Sequence, residues 1–411
     1  MPEKKIAVVG TFDTKGKEFE YLIRCIQRNG GQVLTIDTGI KDAPTFTPDI
    51  SRNEVAERGG SSITELVKKN DRGEAVDVMM KGAAQIVASL YEQGEIAGII
   101  SLGGSAGTTI GTYAMRALPV GVPKFMVSTV ASGDTRAYIG EKDIAMMYSI
   151  VDISGINRIS EAILSNAAHA ITGMVNFYNQ EDHSDSKPMI AATMFGVTTP
   201  CVTEAKEYLE SKGYEVLVFH ATGSGGRSME SLIEGGFIAG VLDITTTELA
   251  DELAGGVFSA GPDRLLAAGR KGIPQVVSLG ALDMVNFGPM ETVPEKCKKR
   301  KLYKHNATVT LMRTTKEENA QLGKIISEKL NQSRGPCSLF VPLNGVSFID
   351  AEGKPFYGKE EDQALFESIR KHLDPSKVEL IELENNINDK SFALAMAQKL
   401  EHMLQMEGSN K

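Results

Sequence analysis

Short apolar runs alternate with amphipathic stretches along most of the chain. Residues 6–9 (Ile-Ala-Val-Val) and 33–36 (Val-Leu-Thr-Ile) read as buried strands, and 17–29 between them reads as a helix closed by Gly30-Gly31. Strand, glycine-bounded loop, helix and strand in that order make the unit of parallel α/β construction. Residues 50–69 and 72–92 predict further helix, broken at Gly59-Gly60, and 96–101 and 124–128 predict two more strands. Residues 153–177 predict one long helix rich in Ala and Gly, suited to close packing against a sheet, another domain or a second subunit.

The polar stretch 179–188 interrupts this rhythm and reads as a boundary between a domain at 1–180 and a second at 189–411. The alternation then restarts. Residues 189–195 and 215–219 predict strands, with a helix between them opened by Thr199-Pro200. Segments 228–234, 238–243, 262–269 and 274–279 continue the alternation. A helix at 316–329, strands at 338–342 and 378–381 and an amphipathic helix at 390–403 complete it. The expected fold class is α/β: two open, mostly parallel Rossmann-like sheets with helices on both faces, facing each other across a cleft. Ligand loops belong at the carboxyl ends of such strands.

With 411 residues, two domains of this size each bury a sizeable core. A net charge of −9 gives no global attraction for nucleic acid, and the basic run 296–304 reads as a solvated loop or a subunit-contact edge. Four cysteines without metal-like spacing, no secretory segment and no apolar run of 18 residues predict a reduced cytoplasmic protein that does not enter the membrane. Glycine is frequent, at 41 residues, and much of it follows directly on strand-like runs. That placement turns attention to the strand-to-helix loops.

The most informative of these is Ser101-Leu-Gly-Gly-Ser-Ala-Gly-Thr-Thr109. A glycine turn between a parallel strand and a helix gathers backbone N–H groups at a positive helix end, where an anion sits unobstructed. Gly103, Gly104, Ser105, Gly107 and Thr108 are its candidate ligand residues; the plainer alternative is a turn needed for helix-to-sheet packing. In Gly10-Thr-Phe-Asp-Thr-Lys-Gly16, Thr11 and Thr14 can bond phosphate oxygens, Lys15 can offset their charge, and Asp13 stands beside them. Neither loop is a P-loop or a dinucleotide fingerprint, and Asp13 or Thr14 could equally cap the next helix. Ser128, Thr129, Ser132 and Asp134 share a third loop, able to contact ribose hydroxyls or hold Mg²⁺ waters. In the second half, His220 and Arg227 flank a glycine-rich turn, and Asp243 and Asp283 end two strands. These four are the candidate catalytic groups, His220 for proton transfer and the acids for metal or base chemistry. No spacing compels a metal, so the metal ligands are left unassigned.

The motifs Val9-Gly-Thr-Phe-Asp-Thr-Lys-Gly16, 101–109, 121–134, Asp152-Ile-Ser-Gly-Ile-Asn-Arg-Ile159 and Phe219-His-Ala-Thr-Gly-Ser-Gly-Gly-Arg227 together resemble the UPF0261 family, also called Tm-1-like ATP-binding proteins. The resemblance covers nearly the whole chain. It implies a two-domain α/β protein that self-associates as a homo-oligomer and binds ATP at the matching loops 10–16, 103–109 and 128–134. Ala106 departs from the glycine common there in relatives, adding a methyl that restricts the backbone. The antiviral action of the family's plant member depends on a partner surface and is not implied here.

Three functions follow as expectations. One is an ATP- and Mg²⁺-dependent enzyme acting on a small metabolite held between the domains. Another is a nucleotide-responsive oligomeric binding protein without turnover. The third is an enzyme acting on a phosphorylated or acidic small molecule without a nucleotide.

Overall fold

A computed structural model describes residues 5–178 and 187–408. The chain forms two compact units that meet in sequence at Ser184 and Asp185. That point falls in the polar stretch, of which residues 179–186 lie outside the described residues.

The first unit is built on five parallel strands: β1 (Lys5–Gly10), β2 (Val33–Asp37), β3 (Ile96–Gly103), β4 (Lys124–Ser128) and β5 (Ala145–Tyr148). Their order across the sheet is β2-β1-β3-β4-β5. Every residue of β3 is buried, as a central strand covered on both faces must be. Strand alternation divides the core between those faces. Ala7 and Val9 pack with helices α4 (Arg72–Glu92) and α5 (Ser105–Arg116), while Ile6 and Val8 pack with α1 (Gly16–Arg28) and α7 (Arg158–Phe177). Between β2 and α4 run two short helices, α2 (Arg52–Arg58) and α3 (Ile63–Lys69), and α6 (Arg136–Ile139) follows β4.

Capping explains where these helices begin and end. Asn70 ends α3 in the left-handed region, and Asp71 then caps α4 by accepting from the N–H groups of Gly73 and Glu74. Helix α7 starts at Arg158, five residues later than the hydrophobic pattern suggests. Gly155 takes a positive φ of 79°, and Asn157 with Ser160 forms a capping box. Strand β5 escapes sequence reading because it is a four-residue, half-exposed edge strand.

The second unit has six parallel strands, β6 (Met189–Met194), β7 (Glu215–His220), β8 (Gly240–Thr245), β9 (Gln275–Gly280), β13 (Cys337–Pro342) and β14 (Glu379–Leu383), in the order β14-β13-β9-β8-β6-β7. A small antiparallel sheet of β10 (Met284–Phe287), β12 (Thr310–Arg313) and β11 (Leu302–Lys304) adds to this plan. The sequence reading did not foresee it, because its short strands fall below the length at which periodicity is legible. The basic run 296–304 ends in β11, an edge strand of that sheet, where charged residues discourage pairing with another chain. Among the described residues no helix is long and apolar enough to cross a membrane, and all four cysteines are buried and unbridged. Burial pushes the Cys337 thiol up to about 12.

In both units the strand order reverses beside the first strand, between β1 and β3 and between β6 and β8. Loops leaving such neighbours at their carboxyl ends diverge to opposite faces and leave a crevice.

Candidate functional site

In the first unit that crevice is open. The loop after β1 and the turn after β3 border a cavity of about 620 Å³. Gly103 makes the turn possible, since a Cβ there would come within 2.8 Å of the Gly107 Cα. Gly104 is the N-cap of α5 and makes no side-chain cap bond, and the first turn contains no acid. The N–H groups of that turn are therefore left for a ligand. Thr11 and Thr14 line the cavity with their hydroxyls 3.0 Å apart. Lys15 lines it as well, with its ammonium donating to the Ile153 carbonyl. Neither Asp13 nor Thr14 caps α1, whose N-cap Lys15 makes no side-chain cap bond.

Apolar side chains outside the ligand loops also line the cavity: Leu66 and Val67 of α3, Val76 and Met79 of α4, and Ile110 of α5. Val67, 53% exposed, is part of this lining. Lys41 and Arg72 add positive charge to the lining, and Asp71 and Asp152 negative.

Thr11, Asp13, Thr14, Lys15, Gly103, Gly104, Ser105 and Gly107 thus share one cavity. Thr108 and Ser128 stand behind it, fully buried, with their hydroxyls 2.6 Å apart and Thr108 donating back to the Gly104 carbonyl. They brace the turn. Thr129 donates its N–H to the Gly103 carbonyl, and Ser132 is exposed; neither belongs to the lining. Asp134 is likewise outside it, turned to solvent against Arg136, whose hydrogen bonds hold its carboxyl down at about 2.

Sequence reading passed over Asp37, the last residue of β2, and Thr38, which follows it and lines this cavity. Asp37 is fully buried, with its Oδ1 accepting from the N–H groups of Phe12 and Gly39, and burial raises its pKa. An acid directly after a predicted strand was the available signal.

The four candidates in the second unit are distributed differently. His220 is exposed at the end of β7, an edge strand two positions from β8, and Arg227 donates to the Ser259 carbonyl. Asp243 is buried, accepting from Thr193 and, at 2.5 and 2.7 Å, from Arg264. Arg264 also reaches Glu248 at 2.6 Å and Glu230 at 3.3 Å. Burial works against its charge, but the three carboxylates outweigh that and hold its pKa well above the ordinary value. Asp283 belongs to a second buried network, with Ser347, Arg313, Asp350 and Asp362. Nothing in the spacing of Arg264 or Arg313 marks them as the centres of these clusters. Among the described residues, no three His, Cys, Asp or Glu side chains converge as a metal-ligand group.

Arg313 is one cation among three acids. Burial pushes Asp283 and Asp350 up to about 6 and Asp362 up to about 7. A folded-state pKa above the unfolded one makes a carboxyl stabilising at low pH and costly as pH rises. Asp362→Asn keeps an oxygen for Arg313 and removes one charge. Its stability in urea is expected to exceed that of the parent by a margin that widens between about pH 4 and 7, by up to about 1.4 kcal/mol per pH unit. A margin independent of pH would show that Asp362 does not titrate in this range.

Comparison with known proteins agrees with the two-unit division. A UPF0261 protein of Clostridium tetani is 61% identical over 402 residues, covering 98% of this chain and 99% of its own. One from Rhizobium meliloti is 47% identical, covering 95% and 97%. The ToMV resistance protein Tm-1(GCR237) of Solanum lycopersicum is 40% identical over 95% of this chain, which spans 55% of that protein. A UDP-N-acetylglucosamine 2-epimerase of Rickettsia bellii aligns over 98% of this chain and 96% of its own, but with a TM-score of 0.23 and 10% identity it informs neither fold nor function. The N-terminal and C-terminal domain profiles of the Uncharacterised protein family (UPF0261) match residues 4–180 and 187–404, and the chain belongs to that family.

Proposed function

We propose that the first unit binds a nucleoside phosphate, ATP foremost, in the cavity at the β1/β3 reversal. One observation carries this reading: a single cavity of about 620 Å³ is lined both by an uncapped helix N-terminus and by aliphatic side chains. That volume is within the roughly 300–1,000 Å³ usual for small-molecule sites. Phosphates would take the first-turn N–H groups of α5 and the hydroxyls of Thr11 and Thr14, with Lys41 and Arg72 as countercharge. The base would lie on Leu66, Val67 and Met79. A sugar phosphate would fill the anion end equally well but would leave the aliphatic wall in water.

In the enzyme form of this proposal, a small metabolite accepts phosphate from the bound ATP. In the non-enzymatic form, the nucleotide biases association of the chain with itself or another protein. Calorimetric titration with ATP, AMP and inorganic phosphate, followed by product analysis with a metabolite panel, separates these possibilities. Val67→Glu is expected to weaken ATP about tenfold or more by placing a carboxylate on the base wall, while leaving phosphate affinity unchanged. Equal loss of both ligands would remove the base from that wall, and an absence of nucleotide binding would end the proposal.

A further inference from the structure

Three oxygens beside the anion loops lack partners. Asp37 Oδ2, Asp13 Oδ1 and Thr38 Oγ1 are each buried without a hydrogen-bond partner among the described residues. Their surroundings are fixed on every other side. The second oxygen of Asp37 takes two backbone N–H groups, and that of Asp13 takes the Lys41 N–H at 2.8 Å. Both carboxyls press on Gly39: its N–H holds Asp37, and a Cβ on it would lie 2.6 Å from the Asp13 Cγ. Asp13 and Asp37 therefore repel each other, and the charge of Asp13 adds to what raises the Asp37 carboxyl.

Among the described residues no ion pair relieves them. The Lys15 ammonium donates to the Ile153 carbonyl and the Arg52 guanidinium to the Asp42 carbonyl, and the Arg52 charge opposes the rise of the Asp37 carboxyl without outweighing burial. Thr38 is an independent pointer to a ligand, because it is 2% exposed, lines the cavity and carries a buried hydroxyl without a partner among the described residues. An unsatisfied hydroxyl so deeply buried is costly unless something binds it.

The geometry points to a divalent-cation seat formed by Asp13, Asp37 and Thr38, for a hard ion of the Mg²⁺ or Mn²⁺ class. Two carboxylates and a hydroxyl are an all-oxygen donor set that leaves further coordination positions to water and to phosphate. Asp13 and Thr38 line the same cavity as Thr11, Thr14 and the α5 turn, where phosphate would lie, and Asp37 adjoins Thr38 in the chain. As the cation of a bound nucleotide it rests on the function proposed above; as a cation seat in its own right it does not.

The full chain titrated with Mn²⁺ by electron paramagnetic resonance, without nucleotide, tests it directly. One bound Mn²⁺ per chain is expected, displaced by Mg²⁺. Asp37→Asn keeps the oxygen that accepts from Phe12 and Gly39 and puts an amide at the unpartnered position. It should weaken Mn²⁺ at least about tenfold and, by removing a buried charge, unfold no more easily than the parent in EDTA. Thr38→Val, similar in shape, should weaken Mn²⁺ while the fold persists. Mn²⁺ binding unchanged in both variants, or no Mn²⁺ binding by the parent, overturns the seat. So does an Asp37→Asn variant that loses ATP equally in EDTA and in Mg²⁺, which would make these oxygens acceptors for the nucleotide's own hydroxyls. Mn²⁺ binding without any ATP binding would support the seat and defeat the nucleotide proposal alone.

Discussion

Ser105→Asp is expected to weaken nucleotide binding severely while leaving the protein at least as stable as before. Ser105 is the first residue of α5 and lines the cavity, so a carboxylate there occupies the position at which phosphate would collect N–H groups. A carboxylate in a first helical turn is favoured by the helix dipole by about 0.3–1 kcal/mol, and Gly104 supplies no competing cap. Against a bound polyphosphate the same charge costs several kcal/mol; about 2–4 kcal/mol corresponds to roughly 30- to 1,000-fold in affinity. Thermal unfolding and calorimetric ATP titration measured together make the test, because loss of binding in a misfolded variant would be accompanied by a lower melting temperature. Undiminished ATP affinity in a folded Ser105→Asp protein would move the phosphates away from α5.

Arg264→Ala should be the most damaging single change in the second unit. The guanidinium is 1% exposed and satisfies Asp243, Glu248 and Glu230, drawn from β8 and from helices on either side of it in sequence. Its removal leaves three acids in the interior with only their local donors: Thr193 to Asp243, Gly223 and Gly226 to Glu248, Leu265 and Ala267 to Glu230. Breaking a buried ion pair from one side costs about 3–5 kcal/mol, a large share of the stability of a domain. The deficit should grow with pH. Burial already holds the Glu230 carboxyl above its ordinary range, with Arg264 opposing that shift, so loss of the arginine raises it further. A group whose folded pKa is raised loses its stabilising contribution as pH increases. Urea unfolding at pH 5 and pH 8 should therefore show the larger loss at pH 8. A loss below about 1 kcal/mol at both would mean that the three acids find other partners.

Much of the plan was legible in the chain because it rests on local signals. Helix α4 occupies residues 72–92, as its pattern predicts, since Asn70 stops the preceding helix and Asp71 starts the next within two residues. Helix α8 (Thr199–Ser211) opens at Thr199-Pro200 for a similar reason, with proline in its first turn. Strand β5 and the three strands of the small sheet are the counterexamples. They are three or four residues long and gain their stability from neighbours rather than from a pattern of their own.

The candidate site divides along the same line. Its anion loops, 11–15 and 103–107, could be read directly, because a glycine turn between strand and helix is a feature of contiguous residues. The aliphatic wall could not, since Leu66, Val67, Val76 and Met79 look like any helix face until α3 and α4 are placed beside the loops. Asp243 and Asp283, attractive as strand-end acids, sit in the interior in separate networks around Arg264 and Arg313.

By itself, then, the sequence determined two α/β halves, their strand-loop-helix rhythm and the glycine turns that can receive an anion. Caps, periodicity and turn chemistry act over a few residues and are written where they operate. Only the tertiary structure decided which acids are neutralised, which hydroxyls remain without partners and what faces the loops. Those outcomes depend on pairs as distant as Lys15 and Ile153, 138 residues apart, and on burial, which belongs to the packed chain and to no single segment of it.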